Sequence, residues 1–348
     1  MNIRRVLIIS NPEDEHTTRV CERIRQFDAI PILLYPEQFG RTSSLVLEQG
    51  LHDCLFTNTV MIGREKIDLG EIYSIWYRRP RLVRLDEDAI AVEELEFARD
   101  EWKAALEAMY AMSTQVLWVS HPDRLREAAR KPVQAQLACQ LGLKAPRTLI
   151  TNHPDKVREF YDICRGRVVV KATGRGWVYS QDSADLYYVL TNRATLDDIH
   201  ASDEISIAPV TFQEEISKEY EVRANVVGQQ VFAVRIDSQR SEISSVDWRR
   251  YDVLNTPYTA YKLPAEIERK CLHLTQLLGL EFGAIDLIRE PKDEYVFLEI
   301  NGNGQFLWAE DLSGVEVSTA LAGLLAGESP PLTQVTFNSL KGERHCEG

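Results

Sequence analysis

The stretch FGAIDLIR (Phe282–Arg289), EPKDE (Glu290–Glu294) and YVFLEIN (Tyr295–Asn301) decides how this 348-residue chain folds. Two apolar runs of strand length flank a polar connection, which predicts an antiparallel hairpin. Centring the turn on Glu290–Tyr295 sets Asp286 opposite Glu299, and Asn301 shares their face because side chains alternate along a strand. Phe282, Ala284, Ile288 and Phe297 fall on that face too, so these oxygen ligands sit on a mostly apolar surface. Adjacent carboxylates there repel and are costly to desolvate unless a cation balances them. Asp, Glu and Asn oxygens suit Mg²⁺, which takes few protein ligands and leaves places for water and nucleotide phosphates. A hairpin with a polar, solvated face is the plainer reading, and a one-residue slip in register would separate the pair.

Outward from the hairpin, strands are predicted at Glu204–Ala208, Thr211–Ile216, Tyr220–Val227 and Gln230–Asp237, with helices over Pro264–Leu278 and near Val315–Leu325. Upstream, a helical pattern over Asp123–Gly142 leads to a strand from Pro146 to Thr151 and a helix over Asp155–Cys164. Arg167–Ala172 and Trp177–Ser180 then read as antiparallel strands around a glycine-containing loop, Thr173–Gly176. At the N-terminus, Arg5–Ser10, a helix reaching Phe27 and Ile30–Tyr35 give strand, helix, strand, the start of a parallel α/β layer. Ile72–Arg78 and Val116–Val119 add strands around a long helix, Asp88–Met112. The first crossover has neither GxGxxG nor GxxxxGK[ST], so it reads as scaffold. Three units result, 1–120, 121–200 and 201–327, followed by a polar tail over 328–348 that is expected to be loosely held.

Length alone asks for two or three domains, and 44% hydrophobic with 27% charged residues are globular proportions that exclude wholesale disorder. Forty Lys and Arg against 53 Asp and Glu leave a net charge of −13, which argues against nucleic acid or an anionic membrane as partner. No apolar run approaches the roughly 20 residues a membrane span needs, and no signal-peptide pattern opens the chain, so a cytoplasmic location is expected. The six cysteines are scattered without a CxxC pair, and the seven histidines show no metal-binding spacing.

Lys171 closes the apolar run Val168–Val170 beside the glycine loop, where a lone cation can neutralise phosphate oxygens; a lysine leaving the sheet for solvent is the alternative. Lys131, in RKP (Arg130–Pro132), is a weaker candidate of the same kind. QEEI (Gln213–Ile216) and EYEVR (Glu219–Arg223) read either as a charged hairpin or as a connection whose backbone meets an adenine edge, with a carboxylate near the ribose. Arg78 and Arg79, in IWYRRP (Ile75–Pro80), are strand neighbours expected to point to opposite faces, so at most one enters a cleft.

The ordered set Lys131, Lys171, QEEI, EVR (Glu221–Arg223), Asp286 and LEINGNGQF (Leu298–Phe306) resembles an ATP-grasp ligase over residues 121–327. WYRRP, VFAVRIDSQ (Val231–Gln239) and DWR (Asp247–Arg249) resemble the microviridin-type peptide ligases, which cyclise ribosomal precursor peptides. The resemblance implies an α/β chain, α+β in part, with a three-unit ATP-grasp fold and a Rossmann-like pre-ATP-grasp domain at the N-terminus. It implies that Lys131 and Lys171 contact the phosphates of ATP, that Glu215 and Ile216 offer backbone contacts to adenine, and that Glu221, ahead of Glu219, holds ribose. Asp286, Glu299 and Asn301 would bind Mg²⁺, as two ions with the nucleotide, while Arg223, Arg235 and Arg249 would face the transferred phosphate or acyl-phosphate. Thr173–Gly176 would be a lid, and one of Arg78 and Arg79 would serve the substrate. Glu215 departs from the family, where an aromatic is common, although a backbone contact does not depend on that side chain.

The chemistry so implied converts an Asp or Glu side-chain carboxylate of a precursor peptide, made of leader and core, into an acyl-phosphate. A Thr or Ser hydroxyl or a Lys amine then displaces phosphate, giving ω-ester or ω-amide rings. Two other readings stay open. One is a ligase of free amino acids, or of glutamate onto a protein terminus; the other is a nucleotide-binding regulatory module without turnover. The family also leaves a homodimer open.

Overall fold

Parallel strand pairing opens the computed structural model, which describes residues 3–50, 56–86, 88–174, 176–179, 186–250 and 252–332. β1 (Arg5–Ile9), α1 (Glu15–Gln26) and β2 (Ile30–Leu34) form the expected strand-helix-strand unit. Asp14 caps α1 by accepting the His16 N–H, and Thr17, Val20, Cys21 and Ile24, at helical spacing, bury its inner face. An antiparallel sheet that the sequence reading missed follows: β3 (Ser43–Gln49), β4 (Phe56–Ile62) and β5 (Glu65–Asp68). β6 (Ser74–Tyr77), α2 (Leu95–Met112) and β7 (Leu117–Val119) complete a parallel sheet in the order β2-β1-β6-β7. β6 stops short of the predicted Arg78 because Arg79, ahead of Pro80, takes a left-handed φ of 46°.

The helix predicted over Asp123–Gly142 is two helices, α3 (Pro122–Ala128) and α4 (Lys131–Gln140), with Pro132 in the first turn of the second. A proline there is well placed to start a helix and cannot continue one. Both helices pack on the C-terminal unit, where Ala128, Ala138 and Leu143 share a core with Leu274, Leu287 and Ile300. The central unit contains β8 (Thr148–Thr151), α5 (Pro154–Ile163), β9 (Val168–Lys171), β10 (Trp177–Tyr179), β11 (Leu186–Tyr188), β12 (Asn192–Arg193), α6 (Leu196–His200), α7 (Ser202–Ile207) and β13 (Val210–Glu214). The strand expected at Glu204–Ala208 is therefore helical. β13 pairs antiparallel with β8 and β9, so this sheet, ordered β12-β9-β13-β8, runs through Glu214 and past the expected break at residue 200.

The third unit holds β14 (Tyr220–Val227), β15 (Gln230–Ile236), β16 (Tyr258–Tyr261), α8 (Ala265–Leu277), β17 (Phe282–Arg289), β18 (Tyr295–Asn301), α9 (Leu307–Ser313) and α10 (Val317–Ala326). Its sheet is ordered β16-β15-β14-β17-β18. One face packs on α8 and α4. At one end of the other face, Phe282, Ala284 and Phe306 join Val6, Ile8, Ile24 and Trp76 of the first unit in one continuous core. α10, apolar nearly all round, is buried between α1 and this sheet. The start of the tail is docked rather than loose: the Leu332 N–H donates to Glu281 Oε2 at 2.7 Å and Glu328 pairs with Arg4 at 2.9 Å. Residues 333–348 lie outside the described residues. Among the described residues, no helix is long and apolar enough to cross a membrane.

Candidate active site

The deciding hairpin forms with Asp286 opposite Glu299 and Ala284 opposite Asn301. A bulge follows Asp286, so Leu287 pairs with Phe297 and Leu298 is the extra residue. The bulge corrects one expectation. Phe297 turns to the opposite face and packs with Ile285, Leu287 and Ile300. Leu298, Glu299 and Ile288 line a cleft of about 940 Å³, open mouth included, between the central and C-terminal sheets.

Lys171 and Gln213 enter this cleft from the central sheet, Lys131 from the start of α4, and Glu215 and Ile216 from the connection between the sheets. Burial pulls Lys171 down to about 8, and its Nζ donates to Gln213 Oε1 at 2.8 Å. Glu221, almost wholly buried, accepts from Lys218 Nζ at 3.0 Å and keeps its other oxygen without a partner. Burial raises its pKa against the pull of Lys218. Glu219 is exposed and outside the lining, which favours Glu221 as the carboxylate available to a ligand here. Sequence reasoning did not single out Lys218 as a partner of Glu221, although it stands three residues ahead in KEYE.

The metal candidates are surrounded by cations. Lys131 Nζ lies 2.8 Å from Glu299 Oε2, and Arg223 Nε lies 2.9 Å from Asp286 Oδ1. Arg223 is buried against Trp248 and Trp308, with its guanidinium carbon 5.2 Å and 5.8 Å from their ring centres. Arg249 binds both oxygens of Asp247, at 2.8 and 2.7 Å, and Asp247 also accepts the Thr191 N–H across the cleft at 3.1 Å. Asn301 sits exposed at the end of β18, its Oδ1 accepting the Asn303 N–H at 2.9 Å, and lies outside the cleft lining. Among the described residues no group of three or more His, Cys, Asp or Glu comes together as a metal cage. The facing carboxylates of Asp286 and Glu299, with the Asn301 amide two residues on, are the kind of oxygen donors that suit Mg²⁺, a cation that takes few protein ligands.

The structure does not bring Arg235 to this group. The β14/β15 register sets Val234 beside Arg223, so Arg235 projects from the opposite face of the sheet. There it donates to Asp237 Oδ1 at 2.7 Å and stacks 3.9 Å from the Tyr220 ring centre. Of the glycine loop, Gly174 and Gly176 line the cleft and Thr173 Oγ1 bonds Thr211 Oγ1 at 2.7 Å; Arg175 lies outside the described residues. Arg78 and Arg79 do not diverge as expected. With the strand ended at Tyr77, both donate to the Asn303 carbonyl, at 2.8 and 3.1 Å, and Arg78 is enclosed at 1% exposure rather than presented to a substrate.

The RimK-like ATP-grasp domain family matches residues 128–325, more than half of the chain. This chain belongs to the RimK-like ATP-grasp family. The solved structures similar to this ATP-grasp ligase include the Chryseobacterium gregarium RiPP-associated ATP-grasp ligase in complex with ADP and a leader and core peptide. It is 29% identical, with 95% of this chain and 98% of that chain covered and a TM-score of 0.86. The macrocyclase MdnC from Microcystis aeruginosa MRC, bound with precursor peptide MdnA, is 29% identical over 93% of this chain and 100% of its own, with a TM-score of 0.81. Macrocyclase MdnB from the same organism is 28% identical over 92% and 99%, with a TM-score of 0.76. A comparison with curated proteins finds no match.

Proposed function

We propose that this ATP-grasp ligase uses Mg·ATP to activate Asp or Glu side-chain carboxylates of a ribosomal precursor peptide and closes ω-ester or ω-amide rings with Thr, Ser or Lys. The observation that carries the reading is the cleft itself, where three cations, Lys131, Lys171 and Arg249, stand around the facing Asp286 and Glu299. Its likeness, over more than nine-tenths of the chain, to a RiPP-associated ATP-grasp ligase and a macrocyclase that both hold peptides supports a peptide as substrate.

A carboxylate is a poor electrophile until phosphorylated, and the phosphates involved need their charge offset. Lys131 and Lys171 supply positive charge from two sides of the cleft. The free oxygen of Glu221 accepts hydrogen bonds from the ribose hydroxyls while Lys218 holds the carboxylate still. Backbone groups of Glu215 and Ile216 meet the adenine edge. Asp286, Glu299 and Asn301 would hold two Mg²⁺ ions, whose chemistry is to screen phosphate charge as the acyl-phosphate forms. Arg223, fixed by two tryptophans, and Arg249, fixed by Asp247, stabilise the developing negative charge without needing to reorganise.

The test is a search beside the gene for a short reading frame with a leader and a Thr/Ser/Lys plus Asp/Glu-rich core, and incubation of that peptide with the protein and Mg·ATP, read by mass spectrometry. Loss of one water per ring is expected. An unchanged peptide mass overturns the reading, and phosphate release with free amino acids alone would replace it with amino-acid ligation.

A further inference from the structure

β18 ends at Asn301, and the turn that follows, residues 302–306, is gripped from the first unit of the chain. Arg78 Nη1 donates to the carbonyls of Asn303 at 2.8 Å and Gly304 at 3.0 Å, while its Nε pairs with Asp14 Oδ2 at 3.0 Å. His16 Nε2 accepts the Phe306 N–H at 3.1 Å and the Leu307 N–H at 3.4 Å, the amides of the N-cap and of the first residue of α9. Its ring stacks edge-on against Phe306 at 4.7 Å. The other ring nitrogen lies 3.1 Å from Asp14 Oδ1, so Asp14 sets the tautomer by accepting a hydrogen bond from Nδ1–H and leaves Nε2 free to accept. One carboxylate thereby orients both groups that hold the turn. The turn has little freedom on its other side, because a Cβ at Gly302 would come within 2.6 Å of Leu125 and one at Gly304 would overlap Ala284.

We propose that Asp14, His16 and Arg78 are positioning residues that fix the 302–306 turn and so aim Asn301 at the metal site. This rests on the reading above, in which Asn301 serves Mg²⁺. The arrangement is the outer support a metal ligand requires, supplied here by a different unit of the fold.

The test measures ADP binding to the full-length protein at increasing Mg²⁺, together with amide hydrogen exchange at Phe306 and Leu307. His16→Leu should speed exchange at both amides and raise the Mg²⁺ concentration needed for half-maximal ADP binding by roughly 10- to 100-fold, the range for outer-shell partners. ADP binding without Mg²⁺ should be unchanged, and His16→Gln, which keeps an acceptor, should recover most of the loss. Asp14→Asn, which no longer fixes the tautomer, carries the same expectation should His16→Leu fail to fold. If Asn301→Ala raises the Mg²⁺ requirement and neither His16→Leu nor Asp14→Asn does, the positioning role is overturned. If Asn301→Ala leaves that requirement unchanged, the metal reading of Asn301 fails and the proposal falls with it.

Discussion

Asp286 and Glu299 face each other across β17 and β18, yet their carboxyl groups are driven in opposite directions. Burial raises Asp286, and Arg223 offsets that only in part. Burial acts upward on Glu299 too, but Lys131 at 2.8 Å, with Arg249 and Lys171 behind it, outweighs the effect and holds it ionised. Two carboxylates at one register position therefore sit in different electrostatic settings.

Glu299→Gln is expected to cut precursor-dependent phosphate release on the order of 100-fold or more, since even outer partners of a metal cost 10- to 100-fold. The variant removes the negative charge that Lys131 pairs with while keeping the side chain's shape. Turnover within a few-fold of wild type would remove Glu299 from the metal site.

Lys171 is held down to about 8 by burial, with Lys131 and Arg249 adding to the fall and Glu299 resisting it. Phosphate binds the protonated form and raises its pKa, so binding takes up a proton above pH 8. ADP affinity should then decline as pH rises from about 7 to about 10, and Lys171→Arg should flatten that decline. Calorimetric titration in buffers of different ionisation enthalpy checks both points, and a flat wild-type profile would contradict the role given to Lys171.

Glu221→Ala should weaken ADP binding by about 10-fold or more, the cost of losing a hydrogen bond to a charged group. A nucleotide lacking both ribose hydroxyls should be affected little, because it has nothing to donate to the free Glu221 oxygen. Equal losses for the two nucleotides would show that the contact is not with ribose.

Gly304→Ala is expected to destabilise the protein by about 1–3 kcal/mol, the range for overpacking a well-filled core. The added Cβ would overlap Ala284 on the neighbouring strand and press on the Asn301 carbonyl at 3.3 Å. Thermal unfolding reads this directly, with Gly174→Ala, where a Cβ meets nothing within 4 Å, as the control.

The bounds of β14, β17 and β18 were legible residue for residue, because apolar strand-length runs between turn residues are a local signal. The antiparallel sheet β3-β4-β5 was not, since its strands are only partly buried and their apolar alternation is broken by polar residues. α7 was misread as a strand because SDEISI is too short for either periodicity to declare itself. In the cleft, Lys131, Lys171, Glu221, Asp286 and Glu299 were all named from sequence, and Lys218 and the embrace of Arg249 by Asp247 were not. Arg235 was placed by motif alone, and only the hairpin register showed that it points away.

By itself the sequence determined the bounds of β14, β17 and β18 and the pairing of Asp286 with Glu299, because each is written in one short continuous stretch of the chain. Only the tertiary structure decided that Phe297 leaves the cleft face, that Arg78 and Arg79 converge on one carbonyl, and that His16 supports the amide of Phe306 from 290 residues away. A bulge, a left-handed residue and a contact between units depend on how finished elements pack against one another, and no local pattern records that.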